Sequence, residues 1–190
     1  RGPDSQGEWH GKFKDGEMRL GHQRLAILDL SEAGHQPMTH EQGTLSYNGE
    51  VYNYLELREE LEKTGEAFIS ETDTEVVLRA ILCWGVVKAC ERFNGMWAFA
   101  WWDARERRLW LARDRFGEKP MYWETHDGVL LFASELKSLM AMTGRRYRVN
   151  AQVAGEFLLQ NQANTSESVF VEGVKRVSPA TVMCFKWDRL

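Results

Sequence analysis

Cysteine is scarce in this 190-residue chain. There are three, Cys83, Cys90 and Cys184, an odd number too scattered for a disulfide scaffold, which fits a reducing compartment. No apolar run approaches the roughly 18 residues a membrane-spanning helix needs, and no secretory leader opens the sequence. A cytoplasmic location is expected, with no membrane partner. Positive charge is not in excess either: 24 Lys and Arg face 28 Asp and Glu, a net charge of −4. That removes the electrostatic case for nucleic acid. Nor does a Pro/Ser linker or a repeat divide the chain, so it reads as one domain able to bury roughly 70% of its unfolded surface.

Aromatic residues, by contrast, are abundant. Eight Trp, nine Phe and a 43% hydrophobic content demand a packed interior and exclude intrinsic disorder. Leu25-Ala26-Ile27-Leu28 reads as a buried strand, followed by a turn-rich stretch over 31–43. Leu45-Ser46-Tyr47 and Val51-Tyr52 flank Asn48-Gly49, a signal for a tight hairpin turn. Asn53 then caps a helix, with Glu56 as capping-box partner and Leu57 and Leu61 on the apolar face. Thr72 and Glu75 open a second helix the same way, with Val76, Ala80 and Trp84 beside Val77 and Ile81 at helical spacing. A shorter helix over 86–92 follows Gly85.

Beyond it the pattern becomes sheet. Met96 to Trp102 is apolar at every position, as in a strand covered on both faces. The charged turn 103–108 leads to Leu109-Trp110-Leu111-Ala112, its hairpin partner. Further strands are predicted over 129–133 and 182–185, and helices over 136–142 and 151–159. Strands covered on both faces, with helices grouped in pairs, argue for layered α+β rather than a parallel α/β sheet.

The chemistry is less legible. The three thiols have apolar neighbours and match no zinc spacing, so they read as buried and inert. His10, His22, His35, His40 and His126 form no ligand pair; each reads as a structural or surface histidine, and no metal is implied. Asn48-Gly49-Glu50 is a turn by spacing, yet a backbone N–H and an amide side chain presented together also suit an oxyanion site. Asp73 has a bland role in complementing a helix dipole, and Arg24 one as a strand-end charge. The segment from Arg113 to Pro120 reads as a solvated loop, and no glycine pattern cradles a phosphate. Residue chemistry alone leaves the function open.

Seven ordered segments carry a resemblance. They are Arg1-Gly2-Pro3-Asp4-Ser5-Gln6-Gly7, Leu20-Gly21-His22-Gln23-Arg24-Leu25, Tyr47-Asn48-Gly49-Glu50-Val51-Tyr52-Asn53-Tyr54, Thr72-Asp73-Thr74-Glu75, Asn94-Gly95-Met96-Trp97-Ala98-Phe99-Ala100, Ala112-Arg113-Asp114-Arg115-Phe116-Gly117-Glu118-Lys119-Pro120 and Phe132-Ala133-Ser134-Glu135-Leu136-Lys137. Together they resemble the glutaminase domain of glutamine-hydrolysing asparagine synthetases, class II amidotransferases with an N-terminal nucleophile. The resemblance spans essentially the whole chain. It implies a four-layer αββα sandwich, two antiparallel sheets between helical layers, of the Ntn-hydrolase type.

The resemblance also implies chemistry. In the family an N-terminal cysteine attacks the glutamine carboxamide with its own α-amine as base; ammonia leaves, and water hydrolyses the thioester. By the same match, Arg24 grips the glutamine α-carboxylate, Asp73 holds the α-ammonium and Glu50 lines the pocket. The Asn48 amide and the Gly49 N–H form the oxyanion hole. Glutamine is the implied ligand, and the C-terminal synthetase domain or an equivalent subunit is the implied partner. ATP and Mg are expected only in that domain, which amidates aspartate or a similar carboxylate; a homodimer is an assembly open to the chain. The family's cysteine lies upstream of the motif that begins at Arg1, so residues 1–190 are expected to be a glutaminase domain lacking its first segment and its synthetase half. The competing reading is a non-catalytic module that has lost its nucleophile; a Met-Cys-Gly start upstream of Arg1 would separate the two.

Overall fold

The computed structural model describes residues 2–161 and 167–187; Arg1, which opens the first motif, lies outside them. A hairpin comes first, β1 (Ser5–Phe13) and β2 (Gly16–Arg24), with Phe13 opposite Gly16 and Ser5 opposite Arg24. Nothing in the sequence reading anticipated it. Only one face is apolar, through Trp9, Phe13, Met18 and Leu20, and Gly7, Gly11 and His22 interrupt the alternation.

Next come β3 (Met38–His40), β4 (Gly43–Val51), α1 (Tyr54–Lys63), α2 (Asp73–Trp84) and α3 (Val86–Arg92). The remaining elements are β5 (Gly95–Asp103), β6 (Arg108–Arg113), β7 (Tyr122–His126), β8 (Val129–Ala133), α4 (Leu136–Thr143), α5 (Ala151–Gln160), β9 (Lys175–Arg176) and β10 (Thr181–Lys186).

The central sheet is antiparallel, in the order β10-β6-β5-β4-β3. Its β5 is covered on both faces, as its apolar run requires. Trp97, Phe99 and Trp101 face the helices, meeting Val76, Val77 and Ile81 of α2 and Leu57 and Leu61 of α1. Ala98, Ala100 and Trp102 face the other way, toward Met18 and Leu20 of the hairpin and Trp123 and Phe132 of β7 and β8. Leu139 of α4 closes the far side against Leu131 and Ala133 of β8. Helices, sheet, sheet and helix therefore stack in four layers. The second sheet is divided: β1-β2 and β8-β7-β9 are separate pieces.

Several local expectations are corrected. Residues 25–28 form no strand; Leu25 and Ile27 are 60% and 67% exposed. Four apolar residues make a buried strand only where two layers cover them, and here the Ala26 N–H turns to Asp4 Oδ2 at 2.7 Å instead of to a neighbouring strand. Asn48-Gly49 is no hairpin turn. Both lie inside the nine-residue β4, opposite Ala98 and Trp97, because nine paired positions along β5 outweigh a local turn preference.

Asn53 does precede α1, but its side chain bridges the Asn94 N–H (2.9 Å) and the Arg92 carbonyl (3.1 Å), so no capping box forms with Glu56. At α2 the first half of the box holds, Thr72 Oγ1 accepting from the Thr74 N–H at 2.8 Å. Glu75 instead takes the backbone N–H groups of Ile69 and Ser70. The thiols are corrected too: Cys83 and Cys184 are exposed and Cys90 is partly buried. Cys83 and Cys184 sit on outer faces of their elements, where apolar sequence neighbours do not imply cover, while Cys90 packs against the core beneath the helices. Among the described residues, no helix is long and apolar enough to cross a membrane.

Candidate functional site

Among the described residues, β2 pairs only with β1, and β8 only with β7. Between these two strands lies a cleft of about 1570 Å³, whose lining includes Ala98 and Ala100 of β5 and Ser46 and Asn48 of β4. Arg24, Asn48, Gly49, Glu50 and Asp73 all line it. Residues scattered over fifty positions of sequence thus line one cleft.

The edge of β4 organises the cleft wall. In an antiparallel ladder successive backbone N–H groups point alternately to the two neighbours. The β3 pairing ends at Leu45, opposite Met38, leaving the rest of that edge open. The Tyr47 N–H on it donates to Gln36 Oε1 at 2.7 Å, and the Val51 N–H to Asp73 Oδ2 at 2.9 Å. By the same alternation the Gly49 N–H, midway between them, also points away from β5. Only glycine fits here: a Cβ at Gly49 would lie 2.3 Å from the Met96 carbonyl oxygen. The result is one backbone donor at the cleft, flanked by two whose acceptors are already supplied.

Asn48, on the cleft face of β4, points its amide at Ser134 Oγ, 3.4 Å away. Asp73 opens α2 and is 6% exposed. Burial raises its pKa; hydrogen bonds from Tyr47 and the Val51 N–H pull the other way, and the nearby charge of Glu50 adds to the rise. Glu50 itself makes no side-chain hydrogen bond or ion pair among the described residues. Arg24 ends β2 and is 9% exposed. Its Nη1 donates to the Ser31 carbonyl at 2.9 Å and its Nη2 to that of Asp29, so the guanidinium clamps the loop after β2. Two of the five N–H donors are used in this way.

The glutamine amidotransferase domain family matches residues 1–190. The chain belongs to that family. It is 34% identical over its full length to a glutamine-hydrolysing asparagine synthetase of Bacillus subtilis, of which it spans 31%. It is 44% identical over 74% of its length to a second such synthetase of that organism, spanning 22% of it. Over 94% of the chain it is 34% identical to the amidase chry2 of Gibberella zeae, spanning 26% of that protein. The domain thus covers less than a third of the length of these relatives. Among solved structures, the allosteric regulatory enzyme of purine biosynthesis matches 90% of the chain (33% of its own) with a TM-score of 0.62 at 20% identity. The glutamine phosphoribosylpyrophosphate amidotransferase of B. subtilis matches 69% (30% of its own) with a TM-score of 0.57 at 24% identity. The fold is therefore the α+β fold of the Ntn amidotransferases.

In this amidotransferase domain, four residues that the sequence reading did not assign to the site help to build it. Gln36 and Tyr47 order the β4 edge, and Ser134 meets Asn48. His22 of β2 lines the cleft with its ring 3.3 Å from Ser46 Oγ. Burial, with help from Arg24 and His35, pushes the His22 pKa down to about 4, so the ring is neutral at pH 7. Tyr47, Ser134 and His22 sit inside the family motifs, while Gln36 gave no signal: its task is to accept a backbone N–H eleven residues away.

Proposed function

We propose that this domain is the glutamine-hydrolysing half of an asparagine-synthetase-like enzyme, releasing ammonia for the ATP-dependent amidation of aspartate or a similar carboxylate. The observation that carries the reading is the open Gly49 N–H beside the Asn48 amide, in one cleft with Arg24 and Asp73. Arg24 would take the glutamine α-carboxylate through its remaining donors, and Asp73 the α-ammonium. A thiolate would then add to the carboxamide carbon. The oxygen that becomes negative would be met by the Asn48 amide and the Gly49 N–H, which cost no reorganisation at that moment. Collapse breaks the C–N bond, a proton transferred to nitrogen lets ammonia leave, and water hydrolyses the thioester to glutamate.

Cys83, Cys90 and Cys184 do not line the cleft, and as internal residues they have no free α-amine to act as base. The reading therefore assigns the nucleophile to a cysteine-bearing segment upstream of Arg1. The one-sided edges of β2 and β8 support this, since an extended segment laid between them would join the two pieces of the second sheet. The adenylating chemistry, with its ATP and Mg, is assigned to the portion of the relatives beyond this domain. A cytoplasmic setting goes with that chemistry.

Glutamate release from glutamine is the test. The full-length protein should release it, and residues 1–190 alone should not. Replacing the terminal cysteine by alanine should abolish it. Glutamate release by the 190-residue chain itself would overturn the assignment of the nucleophile.

A further inference from the structure

We propose that Tyr47 is a positioning residue of this cleft: its hydroxyl ties Asp73 Oδ2 to β4 and thereby fixes the carboxylate where it meets the cation of an α-amino acid. The inference rests on the reading of Asp73 as the ammonium acceptor. Tyr47 Oη donates to Asp73 Oδ2 at 2.7 Å, and the Val51 N–H reaches the same oxygen at 2.9 Å. Tyr47 is only 3% exposed, with its ring packed in the core beneath α2. Its backbone is held by Gln36 Oε1, while Gln36 Nε2 reaches Thr74 Oγ1 of α2 at 3.4 Å. Strand and helix are thus joined twice around one carboxylate.

The bond matters because burial works against Asp73. Out of water a carboxyl favours its neutral form, and a neutral acid is a poor partner for an ammonium. Tyr47 and Glu50, both from β4, are the titratable groups acting on it, and they act in opposite directions. Glu75, on the same helix, is turned to Ile69 and Ser70, and Arg24 of β2 to the carbonyls of Asp29 and Ser31. The hydroxyl of Tyr47 is therefore the side-chain donor that works against the effect of burial on Asp73. It remains a donor at any working pH, because burial beside Asp73 pushes its own pKa well above the ordinary tyrosine value.

Tyr47→Phe keeps the ring and removes the donor. In the full-length enzyme it should raise the glutamine KM, most at the acid end of the working range, while kcat changes much less. A glutamine KM not raised at any pH would overturn the proposal. The Asp73 carboxyl carbon, followed by NMR, should titrate about one pH unit higher in Tyr47→Phe. An unmoved midpoint would overturn the proposal whatever the kinetics. Should Tyr47→Phe not fold, Gln36→Ala serves as a second variant and should move the midpoint in the same direction; an unmoved midpoint there counts equally against it. Asp73→Asn separates the two claims: if it leaves the glutamine KM unchanged, the ammonium assignment falls, while the NMR midpoint still judges Tyr47.

Discussion

Asp114 and Trp97 are bound to each other twice. The Asp114 N–H donates to the Trp97 carbonyl at 2.8 Å, and the Trp97 N–H returns to Asp114 Oδ2 at 3.2 Å. The same fully buried carboxylate accepts from the N–H groups of Phe116, Glu118 and Lys119. What reads in sequence as a solvated charged loop is a segment wound around one acid, with Arg113 donating to the carbonyls of Gly117, Lys119 and Val177. Asp114→Ala strands four backbone donors and should cost roughly 3–5 kcal/mol, measured by urea unfolding. A loss below about 1 kcal/mol would show that water replaces the carboxylate easily.

Asn48 is a transition-state residue if the proposed function holds. Asn48→Ala in the full-length enzyme should lower glutaminase kcat by about 10²–10³-fold, with the glutamine KM little changed. Asn48→Asp aims a carboxylate at the developing negative charge and should be slower still. Folded Asn48→Asp with near-normal kcat would end the oxyanion assignment.

Arg24 serves two masters, the loop carbonyls of Asp29 and Ser31 and, in the proposed function, a substrate carboxylate. A lysine ammonium cannot reproduce a planar fork toward both. Arg24→Lys should raise the glutamine KM by roughly 10–100-fold, the worth of one charge-assisted hydrogen bond. An unchanged KM would confine Arg24 to the loop.

Acid should find the His22 site first. Its folded pKa, about 4, lies below the ordinary 6.5, so the unfolded chain binds the extra proton between those values. Stability from this group is therefore complete above pH 6.5 and is lost as pH falls toward 4. The loss amounts to about 3 kcal/mol. Urea midpoints across that range should fall more steeply for the parent than for His22→Gln; parallel slopes would refute the shift.

How much was legible follows the range of the forces. Trp97 to Trp102 and the Val76–Ala80 stripe announced themselves because burial leaves a periodic apolar record in the chain. Asn48-Gly49 misled, since a turn rule reads two residues while nine pairs with β5 decide their conformation. The β1–β2 hairpin left only a broken alternation. That Arg24, Glu50 and Asp73 share one cleft was legible through family resemblance alone, because nothing local marks a charge as cleft-facing. Gln36 and Tyr47 escaped for a related reason: their partners are a backbone edge and a helix start that only folding brings together.

The aromatic knot under the hairpin bears on how the domain assembles. Phe13 of β1 packs on Trp102 and on Trp187, each at 5.2 Å between ring centres, and Arg107 reaches Asp15 across the same corner. The first described hairpin is thus held by residues about ninety and more than one hundred and seventy positions later. Contacts of such sequence separation must wait for long loops to close, so the domain should fold in milliseconds to seconds rather than microseconds. During that interval the hairpin, with Trp9, Met18 and Leu20 uncovered, is the part of the chain most exposed to chaperones and to aggregation.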